Sequence, residues 1–213
     1  MSPPEVVFVE EDHRYYVDDK EVPGISYILS SNGFSRYGKV NQEVMEAARA
    51  RGTAVDTVIN FFNEDFPLIA KWHGDLYSWE ADSLSEPMQD FTKARLSGWI
   101  RFRQEMKYDV YFVQKRMSHN YNGMLYAFTL DTYGKMGDRE AVVEVKNTAE
   151  CEPGHQLQTL AQSLPFKEAK PLRYAVYARD EDYKPVEHKD RMDEKIFGCI
   201  LAASWWKWER GIR

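Results

Sequence analysis

The stretch of sequence that decides the fold covers residues 124–146 and reads MLYAFTLDTYGKMGDREAVVEVK. Its two ends, 124–133 and 141–146, are rich in aromatic and β-branched residues and predict two strands. The residues between them, Gly134 to Asp138, predict a five-residue turn. This turn lets the strands pair, so that Asp131 near the end of the first strand comes alongside Glu144 in the second.

Two charged residues lie in the second strand, where the neighbouring residues are apolar. Glu144 and Lys146 share one face because side chains alternate along a strand. A charge in a buried strand must be paired or bound to metal. Two carboxylates, a backbone carbonyl and water suit Mg²⁺ or Mn²⁺. The alternative is a Glu–Lys pair on an exposed strand face. The motif Glu-x-Lys alone favours this alternative, whereas the position of Asp131 on the preceding strand favours the metal site.

The sequence on both sides of these strands completes a core. Apolar residues at three- and four-residue steps predict helices over 87–106 and 155–164. Apolar runs predict a strand beginning at 110–113 and another over 172–177. From residue 87 the order is therefore α-β-β-β-α-β. Three consecutive strands, then a helix crossing to a fourth strand, predict an α/β fold with a mixed sheet flanked by helices.

The remaining residues predict additions to this core within one domain, 1–213. A β-hairpin is expected over 6–9 and 13–17, and a helix over 41–63 that Gly52 splits in two. Residues 64–86 look irregular, and a last helix runs to residue 210 from a cap at Asp190. The domain thus divides into an N-terminal hairpin and helical part (1–86), a core (87–180) and a C-terminal helix (181–213).

Composition excludes several classes of protein. The chain has 213 residues and a net charge of −6, which argues against a protein that coats nucleic acid by charge alone. It does not exclude an enzyme whose own carboxylates recruit metal. Two cysteines, Cys151 and Cys199, form no disulfide framework and are too few for an iron–sulfur cluster. The sequence has no membrane-spanning run and no signal peptide, so we expect a cytoplasmic protein.

The pattern Asp131…Glu144-Val145-Lys146 resembles the PD-(D/E)xK nuclease superfamily, whose restriction-endonuclease-like core has this element order. More closely, the chain resembles the phage-type and RecB-like exonuclease branch. The similarity covers most of the chain and lies in four stretches: His13-Arg14-Tyr15 with Val22-Pro23-Gly24-Ile25-Ser26, Arg51-Gly52-Thr53-Ala54-Val55, Tyr126-Ala127-Phe128-Thr129-Leu130-Asp131, and His155-Gln156-Leu157-Gln158.

The resemblance implies a Mg²⁺- or Mn²⁺-dependent DNA exonuclease that hydrolyses phosphodiester bonds. Asp131 and Glu144 would hold the metal, with the Val145 carbonyl as a further ligand. Lys146 would position or activate water. Gln158 would contact the substrate backbone or the metal-bound water, unless it is a surface glutamine of its helix.

Four departures from the family pattern bear on the site. Asp56 stands where a histidine is usual, and its oxygens make it a candidate metal ligand; the alternative is a helix-surface aspartate. Gln114 replaces a frequent acidic residue and supplies no charge. Phe128 replaces a glycine, and Gln162 a tyrosine. Because Asp131, Glu144 and Lys146 are all present, the pattern argues against a dead enzyme.

The resemblance also implies partners and a setting. The substrate would be the ends of linear DNA, double- or single-stranded, in phage-type recombination or DNA repair. A single-strand annealing or recombination protein would be a partner, in the cytoplasm of a bacterium or a phage-infected host. The oligomeric state stays open. Two other functions stay open as well: a structure-specific or restriction-like endonuclease, and a catalytically weak nucleic-acid-binding protein that keeps the fold.

Three further features have a structural and a functional interpretation. His155 is either a first-turn residue of its helix or a DNA or metal contact. Trp205, Trp206 and Trp208 either pack the last helix or stack on bases. The basic stretch before the core either follows a phosphate backbone or is a solvated helix face; its members are Lys93, Arg95, Arg101 and Arg103.

Overall fold

A computed structural model of the chain describes residues 4–34, 42–63, 86–147 and 151–212. Its strands are β1 (Val6–Val9), β2 (Arg14–Val17), β3 (Lys20–Val22), β4 (Tyr108–Tyr121), β5 (Met124–Met136), β6 (Arg139–Lys146), β7 (Leu172–Arg179) and β8 (Asp182–Glu187). Its helices are α1 (Ile25–Ser30), α2 (Gln42–Asn63), α3 (Glu86–Glu105), α4 (Pro153–Ser163) and α5 (Asp193–Trp208), with a 3₁₀ turn at Leu164–Phe166.

The central sheet has the order β4-β5-β6-β7-β8. Strands β6 and β7 are parallel, and the other neighbours are antiparallel. The segment from α3 to β7 has the order α-β-β-β-α-β. The predicted α/β fold with a mixed sheet flanked by helices is therefore confirmed.

Each face of this sheet carries its own apolar cluster. On one face, α4 and α5 pack through Leu157 and Phe197 against Val142 of β6. On the other face, α2 and α3 pack against Val143 and Val145. Because side chains alternate along β6, Glu144 and Lys146 lie on the same face as Val142, beneath α4. Within the described ranges, no helix has the length and apolarity needed to cross a bilayer.

A small antiparallel sheet, β1-β2-β3, docks beside β5. Val17 and Val22 pack against Ala127, whose N–H donates to the Pro23 carbonyl at 3.1 Å. The Tyr15 hydroxyl also lies 3.0 Å from Oγ1 of Thr129. The small sheet thus forms a wall next to the face of β5 that leads to Asp131.

The predicted five-residue turn is wrong. Strand β5 continues to Met136, and the turn is shorter, at Gly137 and Asp138. Gly134 lies within the strand and not in the turn. Its role is to admit β4, because a Cβ there would lie 2.0 Å from the Asp109 carbonyl oxygen. Gly137 supplies the turn, with a φ of +60° that favours glycine.

Other boundaries also differ from the prediction. Helix α2 passes through Gly52 without a break, since an interior glycine costs only about 1 kcal/mol. The last helix begins at Asp193 and ends at Trp208. The Asp190 carboxylate accepts the Met192 N–H at 2.8 Å, outside the helix, so it is not the predicted cap. Strands β3 and β8 and helix α1 were not predicted, so the part from 181 to 213 holds a strand as well as a helix. Residues 64–85 of the predicted irregular segment lie outside the described ranges.

Candidate active site

The site lies where β5 and β6 diverge. Their last paired residues are Thr132 and Val143. One residue further, Oδ2 of Asp131 accepts the N–H of Val145 at 3.0 Å, in place of a strand–strand hydrogen bond. Strand β6 remains paired with β7 on its other side as far as Lys146. The separation of the two strands therefore opens a cleft and positions the Asp131 carboxylate at its inner end.

Buried Glu144 and half-buried Lys146 form an ion pair. The Nζ atom of Lys146 lies 2.7 Å from Oε1 of Glu144, and the side chains are 17% and 4% exposed. A second motif of the same form, Glu187-His188-Lys189, also makes a 2.7 Å pair, but its side chains are 23% and 72% exposed. The alternative of an exposed Glu–Lys pair therefore fits Glu187 and Lys189, and it is wrong for Glu144 and Lys146.

Two glutamines of α4, one turn apart, hold the Glu144 carboxylate. Nε2 of Gln158 donates to Oε1 of Glu144, and Oε1 of Gln158 accepts from Lys146 at 3.0 Å. Nε2 of Gln162 donates to Oε2 of Glu144 at 2.7 Å. Gln158 is therefore part of the site and not a surface residue. The role of Gln162 was not predicted; its position four residues after Gln158, on the same helix face, was the available signal.

Asp56 belongs to the same electrostatic cluster. Burial raises the pKa of its carboxyl to about 7, while Lys146 lowers it and Glu144 raises it further. The pKa of Asp131 is raised well above its usual range by burial, then by the charges of Glu144 and Asp56. Burial is the main cause of both shifts, and the smaller charge effects place Asp56, Asp131, Glu144 and Lys146 within electrostatic reach of one another.

The donor set fits a hard divalent cation. If ionised, the carboxylates of Asp56, Asp131 and Glu144 carry three negative charges against the single positive charge of Lys146. Mg²⁺ or Mn²⁺ would supply the two missing charges, and oxygen is the donor atom both ions prefer. Among the described residues, no three His, Cys, Asp or Glu side chains are grouped closely enough to hold a metal ion. Asp131 and Glu144 would therefore share the ion with water or substrate oxygens, and the Val145 carbonyl stays a predicted ligand. The predicted direct ligation by Asp56 has no support in this geometry, and Asp56 would act on the ion through its charge.

The cleft has a volume of about 460 Å³. Arg116 is the only basic residue among its described lining residues. The ring centroids of Phe8 and Tyr15 lie 4.6 Å apart, and the Arg116 guanidinium carbon is 6.0 Å from the Phe8 ring. Gln114 has a φ of +43°, in the left-handed region that a glutamine in a strand rarely adopts. The lining residues are Phe8, Glu10, Tyr15, Ser26, Gln114, Arg116, Thr129, Asp131, Glu144 and Gln158.

His155 has a structural role in α4. It forms a capping box with Glu152, whose N–H donates to Nδ1 of His155 at 3.4 Å. The same Nδ1 lies 2.7 Å from the Tyr177 hydroxyl. Burial, together with the Lys146 charge, lowers the pKa of His155 to about 3, so the ring is neutral at pH 7. These contacts favour the first-turn interpretation over a metal or DNA contact.

The basic stretch of α3 binds the chain itself. Arg95 pairs with Asp180, Arg101 with Glu105, and Arg103 donates to the Tyr108 carbonyl. These three basic side chains thus have intramolecular partners, and binding of a phosphate backbone by this stretch stays a prediction.

Two of the three C-terminal tryptophans pack the last helix. The Trp205 indole donates to the Leu125 carbonyl at 3.0 Å, and Trp208 packs edge-on against Tyr27. Trp206 is 54% exposed. The packing interpretation therefore holds for Trp205 and Trp208 but not for Trp206.

The stretches that carry the family resemblance lie in different parts of the structure. His13 lies in a turn of the small sheet and packs near Phe8, whereas Tyr15 lines the cleft. Phe128 is buried in the core beside Tyr126. Comparison with known protein families gives no match, and no curated protein is significantly similar to the chain. The resemblance therefore depends on the residues themselves.

We expect Asp56→Asn to weaken the binding of Mg²⁺ and Mn²⁺, because the substitution removes one of three carboxylate charges at the inner end of the cleft. The loss should be several-fold, since Asp56 acts on the ion together with Asp131 and Glu144. Asp56→His should keep part of the activity; a shift of preference toward Mn²⁺ in this variant would show that residue 56 reaches the ion directly, since imidazole suits softer ions. Titration calorimetry with each metal measures the effect. Unchanged affinity and cleavage in Asp56→Asn would reduce the site to Asp131, Glu144 and Lys146.

Proposed function

We propose that the chain is a Mg²⁺- or Mn²⁺-dependent DNA exonuclease with a PD-(D/E)xK core. One observation carries the proposal: the pair of buried Glu144 and half-buried Lys146 lies beside Asp131 at the point where two strands separate into a cleft. Buried charges are costly to a fold and are retained where chemistry needs them. The excess of carboxylates over cations at this point supports a divalent metal.

Each residue of the cluster has a distinct task. A bound metal ion would polarise the scissile phosphate and lower the pKa of an attacking water. Asp131 and Glu144 supply the carboxylate oxygens that hold it. Lys146, fixed by Glu144 and Gln158, directs its ammonium group toward charge that develops on the phosphate. Gln158 orients both neighbours, because its amide donates to Glu144 and accepts from Lys146.

The outer part of the cleft supports a nucleic-acid substrate. Arg116 supplies a guanidinium group for a phosphate oxygen. Phe8 and Tyr15 present aromatic rings next to it, and base stacking on such rings contributes about 1–3 kcal/mol per base. Acids that could hold a metal, together with an arginine and two aromatic rings in the same lining, suit one strand of DNA that lies across the site, although Glu10 beside Phe8 adds a negative charge there.

We expect Arg116→Gln to weaken DNA binding about tenfold, because it removes the basic group from the described cleft lining. Lys115→Gln is the matched control: Lys115 is the adjacent residue, and its ammonium lies over the Phe112 ring at 4.1 Å, outside the lining. Both variants lose one positive charge. Fluorescence anisotropy of a short labelled strand in Ca²⁺ measures binding without cleavage. Equal losses in both variants would mean that only overall charge matters and that Arg116 makes no local contact.

A comparison of linear and circular DNA tests the exonuclease proposal. End-labelled linear duplex and single strands should be shortened in Mg²⁺ or Mn²⁺, while a covalently closed circle should stay intact. Nicking of the circle would establish an endonuclease instead. Binding without any cleavage, in wild type and Glu144→Ala alike, would establish a nucleic-acid-binding protein that keeps the fold. The proposal places the enzyme in recombination or repair, beside a single-strand annealing or recombination protein in the cytoplasm.

A further inference from the structure

Helix α5 has two apolar faces, and the described part of the chain covers only one of them. Phe197, Leu201 and Ser204 are fully buried against the sheet. The other face carries an exposed apolar row that begins just before the helix. We call this row the α5 seam; its members are Met192, Ile196, Cys199, Ala203 and Trp206. The exposed fractions of Met192, Ile196 and Trp206 are 50%, 38% and 54%.

The spacing of the seam is that of a helix–helix interface. Its members follow one another at four, three, four and three residues, which keeps them on one side of the helix. On a surface helix without a partner, the positions of Met192, Ile196 and Trp206 would be expected to carry charged or polar residues. Single exposed apolar residues need no explanation, but a contiguous row marks an interaction site.

We infer that the α5 seam binds the same helix of a second copy of this chain, in antiparallel orientation. In the register that pairs four of its five members, Ile196 faces Trp206 of the second copy and Cys199 faces Ala203. Met192 faces Arg210, one turn beyond the seam. The small residues then lie at the centre, where the helices approach most closely, and the large residues lie outside them. Each contact occurs twice about a two-fold axis, as a closed dimer requires.

The charges beside the seam support this orientation. Lys195 and Glu209 are both exposed and lie along the same edge of the seam. The Glu209 carboxylate also lies 3.9 Å from the guanidinium of Arg210 in its own copy, and this exposed pair leaves it accessible to a second copy. In an antiparallel pair at this register, Lys195 of one copy is opposite Glu209 of the other, so two attractive pairs form. In a parallel pair, Lys195 of one copy would instead lie opposite Ile200 of the other. Ile200 is only 9% exposed, packs into the core of its own copy and offers no charge to Lys195. The chain is thus self-complementary in one orientation.

The seam is short for an interface, and this sets the expected affinity. Its 15 positions, 192–206, span about 21 Å at 1.5 Å per residue. A standard protein interface buries about 1,600 Å², more than one such helix pair provides. We therefore expect a reversible dimer with a dissociation constant in the micromolar range.

Sedimentation equilibrium over a series of protein concentrations tests the inference. Wild type should convert from monomer to dimer as concentration rises. Ile196→Glu and Trp206→Glu should each raise the dissociation constant by about tenfold or more, because each places a charge in an apolar layer. Val7→Glu is the control, since Val7 is apolar and 42% exposed but lies on β1. Circular dichroism confirms that each variant is folded.

A charge exchange tests the orientation. Lys195→Glu should weaken the dimer several-fold, and Lys195→Glu with Glu209→Lys should restore it, because the exchange recreates both pairs. A monomer at every concentration would overturn the inference, as would a dimer that Ile196→Glu does not weaken. A dimer weakened by Ile196→Glu but not restored by the exchange would overturn the antiparallel register. None of these outcomes depends on nuclease activity.

Discussion

Lys146→Ala is expected to reduce kcat by a factor of about 10²–10³ or more, which abolishes turnover in practice. The lysine ammonium acts on charge that develops in the transition state, so the loss should appear in kcat more than in KM. The side chain is 17% exposed and pairs with Glu144 at 2.7 Å. Single-turnover cleavage of a labelled duplex in Mg²⁺ measures the effect.

The second motif of the chain supplies the control. Lys189→Ala removes a lysine that makes the same 2.7 Å contact with a glutamate two residues earlier, on the exposed surface. It should leave kcat within about twofold of wild type and change stability by less than about 1 kcal/mol. Lys146→Met, which keeps the length of the side chain, distinguishes loss of charge from loss of packing. Near-wild-type kcat in Lys146→Ala would remove this residue from the mechanism.

Asp131→Asn is expected to weaken Mn²⁺ binding by a factor on the order of ten or more. Loss of a residue that only hydrogen-bonds to a metal ligand already lowers metal affinity by about tenfold or more, and Asp131 would be a ligand itself. The asparagine oxygen can still accept the Val145 N–H that Asp131 accepts at 3.0 Å, so the strands should keep their positions. Asp131→Ala removes that acceptor as well and should bind Mn²⁺ no better. Titration calorimetry with Mn²⁺ compares the two variants with wild type.

Stability provides the control for Asp131. Burial and neighbouring carboxylates raise its pKa well above the usual range, so its ionised form opposes folding at neutral pH. An uncharged asparagine removes that cost, and the melting temperature of Asp131→Asn in EDTA should be no lower than that of wild type. Equal Mn²⁺ affinity in wild type and both variants would contradict a metal site at Asp131.

The sequence was sufficient to predict the centre of the site, because the signals there are local. Alternation along one strand puts Glu144 and Lys146 on one face, where Glu144 is buried and Lys146 half-buried in the structure. The pairing of β5 with β6 places Asp131 one residue beyond the last ladder pair. The length of the turn was wrong, because Gly134 is required by a close approach of β4 that no local pattern reveals.

The rest of the site depends on contacts between distant segments. Arg116 and Phe8 are 108 positions apart in the chain and meet only when the small sheet docks beside β5. Gln162 contacts Glu144 because α4 crosses over β6, so its role follows from tertiary packing. Strand β8 was missed because it is mostly polar and contains Pro185, a composition typical of an edge strand.

Metal-dependent cleavage of DNA by this cleft is the central claim, and one assay tests it most directly. Labelled linear DNA, double- and single-stranded, is incubated with wild type and with Glu144→Ala, each in Mg²⁺, Mn²⁺ or EDTA. We predict that only wild type with Mg²⁺ or Mn²⁺ shortens the DNA, and that EDTA or Glu144→Ala stops it. Cleavage that persists in EDTA or in Glu144→Ala, or no cleavage by wild type with either metal, would contradict the account.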